Sequence, residues 1–113
     1  MIKAQKILIT GGAGMIGSSL AKELTKLNYD IYIIDNFWRG NISYLKENNQ
    51  FFINSENIIE GDLSDLSFCE KTILDFDVVY HLADIVAGIN FVFDNQYYVW
   101  SQNIKINNNV ISA

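Results

Sequence analysis

The chain has 113 residues, enough for one domain whose folding buries somewhat over ~60% of its unfolded surface. Half of the residues are hydrophobic and 19% are charged, which excludes a disordered polyelectrolyte. The formal net charge of −5, with no Lys/Arg cluster, repels phosphate backbones and argues against a nucleic-acid partner.

In chain order, Lys6-Ile-Leu-Ile-Thr10 reads as a short buried strand that ends at a glycine cluster. Its apolar run is too short for the core of a signal peptide and far too short to cross a bilayer, so a cytoplasmic protein without a membrane partner is expected. Residues 15–27 place Ile16, Leu20, Leu24 and Leu27 at helical spacing, with Lys22, Glu23 and Lys26 on the other side. Asp30–Asp35 is a second strand. A polar stretch follows, with a short helix expected near Ser43–Asn48. The sequon Asn41-Ile42-Ser43 is idle without a secretory signal.

Asn57–Glu60 reads as a third strand closed by Gly61-Asp62, and Ser64 or Asp65 caps a helix running to about Leu74. The single cysteine in that helix, Cys69, has no intrachain disulfide partner and reads as an ordinary, partly buried thiol of a reducing compartment. Asp77–His81 is a fourth strand. Residues 95–113 form a last helix with Val99, Asn103, Ile106 and Val110 on one face, and the asparagines at 107–109 read as drift on its exposed side. Strands alternating with helices at this spacing imply an α/β protein with a parallel sheet and right-handed crossovers. The strands are nearly continuous apolar runs, as expected when helices cover both faces of the sheet.

Thr10-Gly-Gly-Ala-Gly-Met-Ile-Gly17 fits both G-x-G-x-x-G and T-G-x-x-G-x-x-G, between a strand and a helix. Gly11 and Gly12 permit the sharp turn, Gly14 lets a pyrophosphate approach the backbone, and Gly17 allows close helix-on-strand packing. The N–H groups of Met15 and Ile16 then face phosphates at the positive end of the helix dipole. A phosphate loop of the Walker type is excluded, because Gly17-Ser18 lacks the preceding lysine.

Asp35 follows Gly17 by 18 residues, where dinucleotide folds place the acid that accepts from the adenosine ribose. A 2′-phosphate ~4 Å from this carboxylate would be repelled by up to ~4 kcal/mol at an effective dielectric of about 20, so NAD is favoured over NADP. Arg39 offsets part of that repulsion. Asp62 has two readings, an acceptor at the adenine rim or a cap or turn residue for the next helix. His81 has no sequence-adjacent carboxylate or serine and reads as structural.

These residues together resemble the extended short-chain dehydrogenase/reductases, in particular the NAD-dependent epimerase/dehydratase group acting on nucleotide sugars. The shared anchors are the glycine loop, Asp35-Asn36-Phe37 with Gly40, Gly61-Asp62-Leu63, His81-Leu82-Ala83, and Asn103 with Asn109–Ala113. The resemblance implies a Rossmann-type sheet of order 3-2-1-4 over residues 1–113, stopping before strands 5 and 6. It implies that Gly11, Gly14, Met15 and Ile16 line the pyrophosphate of NAD, and Asp35 and Asn36 the adenosine ribose. Asp62 and Leu63 would flank adenine, Leu82 and Ala83 would border the nicotinamide-side ribose, and Asn103 would approach the cofactor from the last helix. As an inward amide Asn103 needs hydrogen-bond partners, from the cofactor side or from the loop after the fourth strand. Asp84 stands where the family commonly has a small apolar residue; it either binds ribose hydroxyls or turns outward.

The family's catalysis uses a Ser/Thr and a Tyr-x-x-x-Lys pair. None of Tyr29, Tyr32, Tyr44, Tyr80, Tyr97 and Tyr98 has a lysine four residues on. The resemblance therefore implies the NAD-binding portion of a nucleotide-sugar enzyme, with no catalytic residue in this chain. The alternatives are a non-catalytic nucleotide-binding module, or half of a split protein, and a relic whose glycines serve only the fold. An unpaired fourth strand and an uncovered last helix would also favour a homo-oligomer.

Overall fold

The computed structural model describes residues 4–85 and 88–113. Strand β1 (Lys6–Thr10) leads into helix α1 (Met15–Lys26) and strand β2 (Asp30–Asp35). A 3-10 turn at Ile42–Leu45 feeds a short hairpin of β3 (Lys46–Glu47) and β4 (Gln50–Phe51). A second 3-10 turn, Ser55–Asn57, precedes β5 (Ile58–Glu60). Then come α2 (Leu66–Thr72), β6 (Val78–His81), α3 (Ile89–Asp94) and α4 (Gln96–Ser112).

Four strands form a parallel sheet in the order β5-β2-β1-β6, which is third, second, first and fourth of the expected strands. β1 is central, with Ile9 opposite Ile33 on one side and Tyr80 on the other. The period of two sends alternate side chains to opposite layers. Ile7, Ile9, Ile31 and Ile33 pack with Ala21, Leu20 and Leu24 of α1, together with Leu45 and Ile53. Leu8 and Ile34 meet Cys69 and Ile73 near α2, and Ile106 and Val110 of α4, on the other face. Burying each such Ile or Leu is worth about 1.5–3 kcal/mol, so the sheet and its two layers stabilise one another. No described helix is long and apolar enough to cross a membrane.

Several expectations need correction. Helix α1 turns Gly17, Ser18 and Ala21 inward, while Ile16 is 74% and Leu27 66% exposed. Ile16 projects from the first turn, beyond the strand it would cover. Leu27 is the C-cap, and Asn28 (φ 67°) ends the helix in a Schellman motif, with the Tyr29 N–H donating to Leu24 O.

The short helix expected near Ser43–Asn48 is a 3-10 turn at Ile42–Leu45, and a hairpin takes the residues after it. The adjacent asparagines Asn48 and Asn49 take φ of 54° and 62°, the left-handed pair that closes a type I′ hairpin. Helix α2 begins as expected at an Asp65 cap, whose Oδ1 accepts from the Phe68 N–H at 3.3 Å, but it ends at Thr72. Helix α3 was not foreseen, because six residues are too few to show a helical period.

The asparagine run is not drift. Asn107 Oδ1 lies 2.7 Å from His81 Nε2, and Asn109 Nδ2 donates to Leu63 O at 2.9 Å. These asparagines flank Ile106 and Val110, the buried residues of α4, and so reach His81 at the end of β6 and Leu63 before α2. Asn109→Ala should therefore be less stable than Asn108→Ala by about 1 kcal/mol in urea unfolding. Both variants gain the same helix propensity, so the difference isolates the hydrogen bond.

Cys69 is fully buried, and its thiol donates to Leu63 O at 3.4 Å. Burial pushes its pKa up, and the nearby carboxylates of Asp65, Asp62 and Glu70 push in the same direction. The native thiol should resist iodoacetamide until the chain unfolds. The sign of the pH effect follows from the raised native value: stability is unaffected below the ordinary thiol pKa of ~8.5. Above it stability falls, because the unfolded thiol ionises first. Urea midpoints measured from pH 7 to 10 check this.

Candidate functional site

At the C-terminal ends of the parallel strands lies a cleft of about 490 Å³, within the usual range for small-molecule sites. Its floor is the turn from β1 into α1. Gly11 holds φ at +68°, a conformation open to glycine and costly to other residues. The Gly14 N–H donates to Gly11 O at 3.1 Å, and the Ser18 N–H is the first in the helix to find an acceptor, Gly14 O at 3.0 Å. Helix geometry leaves the N–H groups of Met15, Ile16 and Gly17 without intrahelical partners. No side chain caps this end, and its first turn holds no acidic residue.

The two outer glycines differ in kind. A Cβ on Gly17 would lie 2.5 Å from Gly11 O and 2.9 Å from the Gly12 α-carbon. Gly17 is therefore needed for packing on the glycine loop itself, not on a strand as expected. A Cβ on Gly14 would find only Gly11 O, at 3.3 Å, and otherwise enters open space on the cleft side.

One wall is built by the loop after β2. Asp35 Oδ2 accepts from the Ala13 N–H (3.0 Å) and Oδ1 from the Phe37 N–H (2.8 Å), while the Asn41 N–H donates to Ala13 O (3.0 Å). These bonds clamp the loop onto the glycine turn and hold Phe37 at φ 59°, a left-handed conformation that a bulky residue adopts only under constraint. Asn36 Oδ1 accepts from the Trp38 N–H, so Trp38 and Arg39 are carried to the cleft rim. Asp62 Oδ1 accepts from both the N–H and the hydroxyl of Ser64. It is thus a turn residue, and it also lines the cleft.

The opposite wall follows β6. The hydroxyl of Thr10, fully buried, accepts from the N–H groups of Leu82 and Ala83 at 3.0 and 3.1 Å. With both lone pairs used, its proton goes to His81 Nδ1 at 2.7 Å, which leaves His81 Nε2–H to donate to Asn107 Oδ1. His81 thus bridges Thr10 of β1 and Asn107 of α4.

Gly11, Gly14, Met15, Ile16, Asp35, Asn36, Asp62, Leu63, Leu82, Ala83 and Asp84 all line this one cleft. Asn103 does not. Its Oδ1 accepts from the Ile85 N–H (2.6 Å) and its Nδ2 donates to Ile85 O (3.3 Å), so it pins the segment that carries Asp84. Trp38, Gly40, Tyr44, Ile85 and Ile106 also line the cleft. The sequence offered no signal for Tyr44 or Ile106, which arrive from elements with their own local periods.

A model of the NAD dependent epimerase/dehydratase family matches residues 7–113. The chain belongs to that family. Among curated relatives, the UDP-N-acetyl-alpha-D-glucosaminuronate decarboxylase of Bacillus cytotoxicus is 33% identical over 109 residues, covering 96% of this chain and 32% of the relative. The UDP-N-acetylglucosamine 4-epimerase of Methanobrevibacter ruminantium, solved with UDP-N-acetylmuramic acid, superposes with a TM-score of 0.79 at 29% identity, covering 97% of this chain and 34% of that one. The UDP-glucose 4-epimerase of Thermus thermophilus, solved with NAD, shares the fold with a TM-score of 0.75 at 22% identity, over 95% of this chain and 32% of that one. The chain thus spans about a third of the length of these proteins, and the family members matched here are enzymes of nucleotide sugars.

Gly17→Ala should destabilise the chain by a net of about 1–2 kcal/mol, read as a lower urea midpoint. Overpacking against rigid backbone outweighs the helix propensity gained. Gly14→Ala should leave the midpoint nearly unchanged, because only one tight contact has to give.

Proposed function

We propose that the cleft holds NAD and that this chain is the cofactor-binding portion of a nucleotide-sugar epimerase or dehydratase. The observation that carries this reading is the open face of Gly14 beside the unpartnered N–H groups of Met15, Ile16 and Gly17. That arrangement fits a pyrophosphate: backbone donors at a positive helix end, with no Cβ to keep the anion away.

Gly11, Gly14, Met15 and Ile16 would hold the pyrophosphate. Asp35 and Asn36 would receive the adenosine ribose, with Asp62 and Leu63 beside adenine. Both Asp35 oxygens already accept one N–H each, which orients the carboxylate and leaves further lone pairs for hydroxyls. Leu82 and Ala83, fixed through Thr10, would border the second ribose, and Asn103 would serve the site by holding the segment at Ile85. When bound, NAD supplies the hydride acceptor of the reaction.

The UDP-sugars in the names of the matched proteins support a nucleoside-diphosphate sugar as the substrate of the larger enzyme. The proton-transfer residues of that reaction would lie outside this chain, since no tyrosine here carries the Tyr-x-x-x-Lys spacing.

Calorimetric titration with NAD and NADP tests the reading. NAD should bind at least roughly tenfold more tightly, the Asp35 carboxylate repelling a 2′-phosphate, and Asp35→Asn should narrow the ratio. Equal affinities in the starting protein, unchanged by the substitution, would remove Asp35 from the ribose site.

A further inference from the structure

The three carboxylates of the cleft are not equivalent. Asp35 has both oxygens engaged by backbone N–H groups, and Asp62 Oδ1 is held by Ser64. Asp84 is exposed, lines the cleft beyond the end of β6, and accepts no hydrogen bond among the described residues. Its backbone is nonetheless positioned, by the Thr10 bonds to Leu82 and Ala83 on one side and the Asn103 bonds to Ile85 on the other. A surface carboxylate with no partner among the described residues thus sits on a segment anchored from two directions. The one cation lining the cleft among the described residues, Arg39, belongs to the opposite wall and does not neutralise it.

This inference rests on the NAD reading. With the pyrophosphate at the start of α1 and adenosine on the Asp35 wall, the second nucleoside falls to the β6 wall, where Asp84 stands. The base of that nucleoside changes charge with its redox state: nicotinamide is cationic in NAD+ and neutral in NADH. The two forms otherwise present the same phosphates and hydroxyls.

We propose that Asp84 is a specificity-determining residue that makes the cleft hold NAD+ in preference to NADH. Its carboxylate attracts the cationic ring, has no such attraction for the neutral one, and repels the more negative reduced dinucleotide as a whole. The cofactor would then rest in the form that accepts a hydride.

The test is titration of the 113-residue chain and its Asp84→Asn variant with NAD+, NADH and ADP-ribose, at low and at high salt. The substitution is nearly isosteric at an exposed side chain without partners among the described residues, and circular dichroism checks that the fold persists. Asp84→Asn should shift the NAD+/NADH affinity ratio toward NADH by roughly threefold to tenfold at low salt, and by less at high salt. ADP-ribose, which carries the second ribose but no nicotinamide, should bind the variant no more weakly. An unchanged ratio would overturn the proposal. A parallel loss for all three ligands would also overturn it, by making Asp84 an ordinary hydroxyl acceptor. Failure of the starting protein to bind either NAD+ or ADP-ribose would remove the NAD reading, and this inference with it.

Discussion

The site depends on one close approach, the α-carbon of Gly17 against the carbonyl of Gly11, where a methyl group would lie 2.5 Å from the oxygen. Because no side chain intervenes, α1 starts almost on top of the end of β1. Its first N–H groups then emerge where the sheet ends, at the centre of the cleft. Helix dipole and orphan donors act together at that point, and both fall off within the first turn. A helix displaced by the width of a methyl group would carry its donors away from the cleft floor.

Both walls are fastened to this same turn. The β2 wall is held through Ala13, whose N–H goes to the Asp35 carboxylate and whose carbonyl receives the Asn41 N–H. The β6 wall is held through Thr10, whose hydroxyl receives Leu82 and Ala83 and passes its proton to His81. Asp35 and Thr10 thus each shape a wall of the cleft by satisfying backbone donors that would otherwise be left without partners. A substitution at either position would move the wall as well as remove a contact, so loss of binding alone would not identify a direct ligand contact.

The charge pattern adds a constraint of its own. Three carboxylates line the cleft against one arginine, so under the proposed reading a dianionic pyrophosphate would be held by backbone dipoles and not by lysine or arginine side chains. Such donors are fixed in place and neutral, and they leave the surrounding acids to discriminate among ligands by charge. Under the NAD reading a 2′-phosphate would meet repulsion at Asp35, and a change of charge on the opposite base would be felt at Asp84.

The sequence alone determined the parallel α/β arrangement, its four strands, the nucleotide-type turn and the acid at the end of β2. Each is written within a short window: apolar runs between glycines, a loop whose glycines fall at fixed offsets, and a carboxylate at a strand end. Only the tertiary structure decided the rest. Asn107 and Asn109 looked idle because their partners, His81 and Leu63, are distant in the chain and meet them only when α4 packs across the strand ends. Asn103 could serve the cofactor side or the loop after the fourth strand, because an inward amide needs partners, and only the structure gives Ile85 of that loop as the one it takes. The hairpin at Asn48-Asn49 was hidden because two asparagines permit left-handed backbone without requiring it, and burial of Leu45 alongside settles which state they take. Local periodicity fixes what an element is, whereas the partners of a polar side chain are set by which elements the sheet brings together.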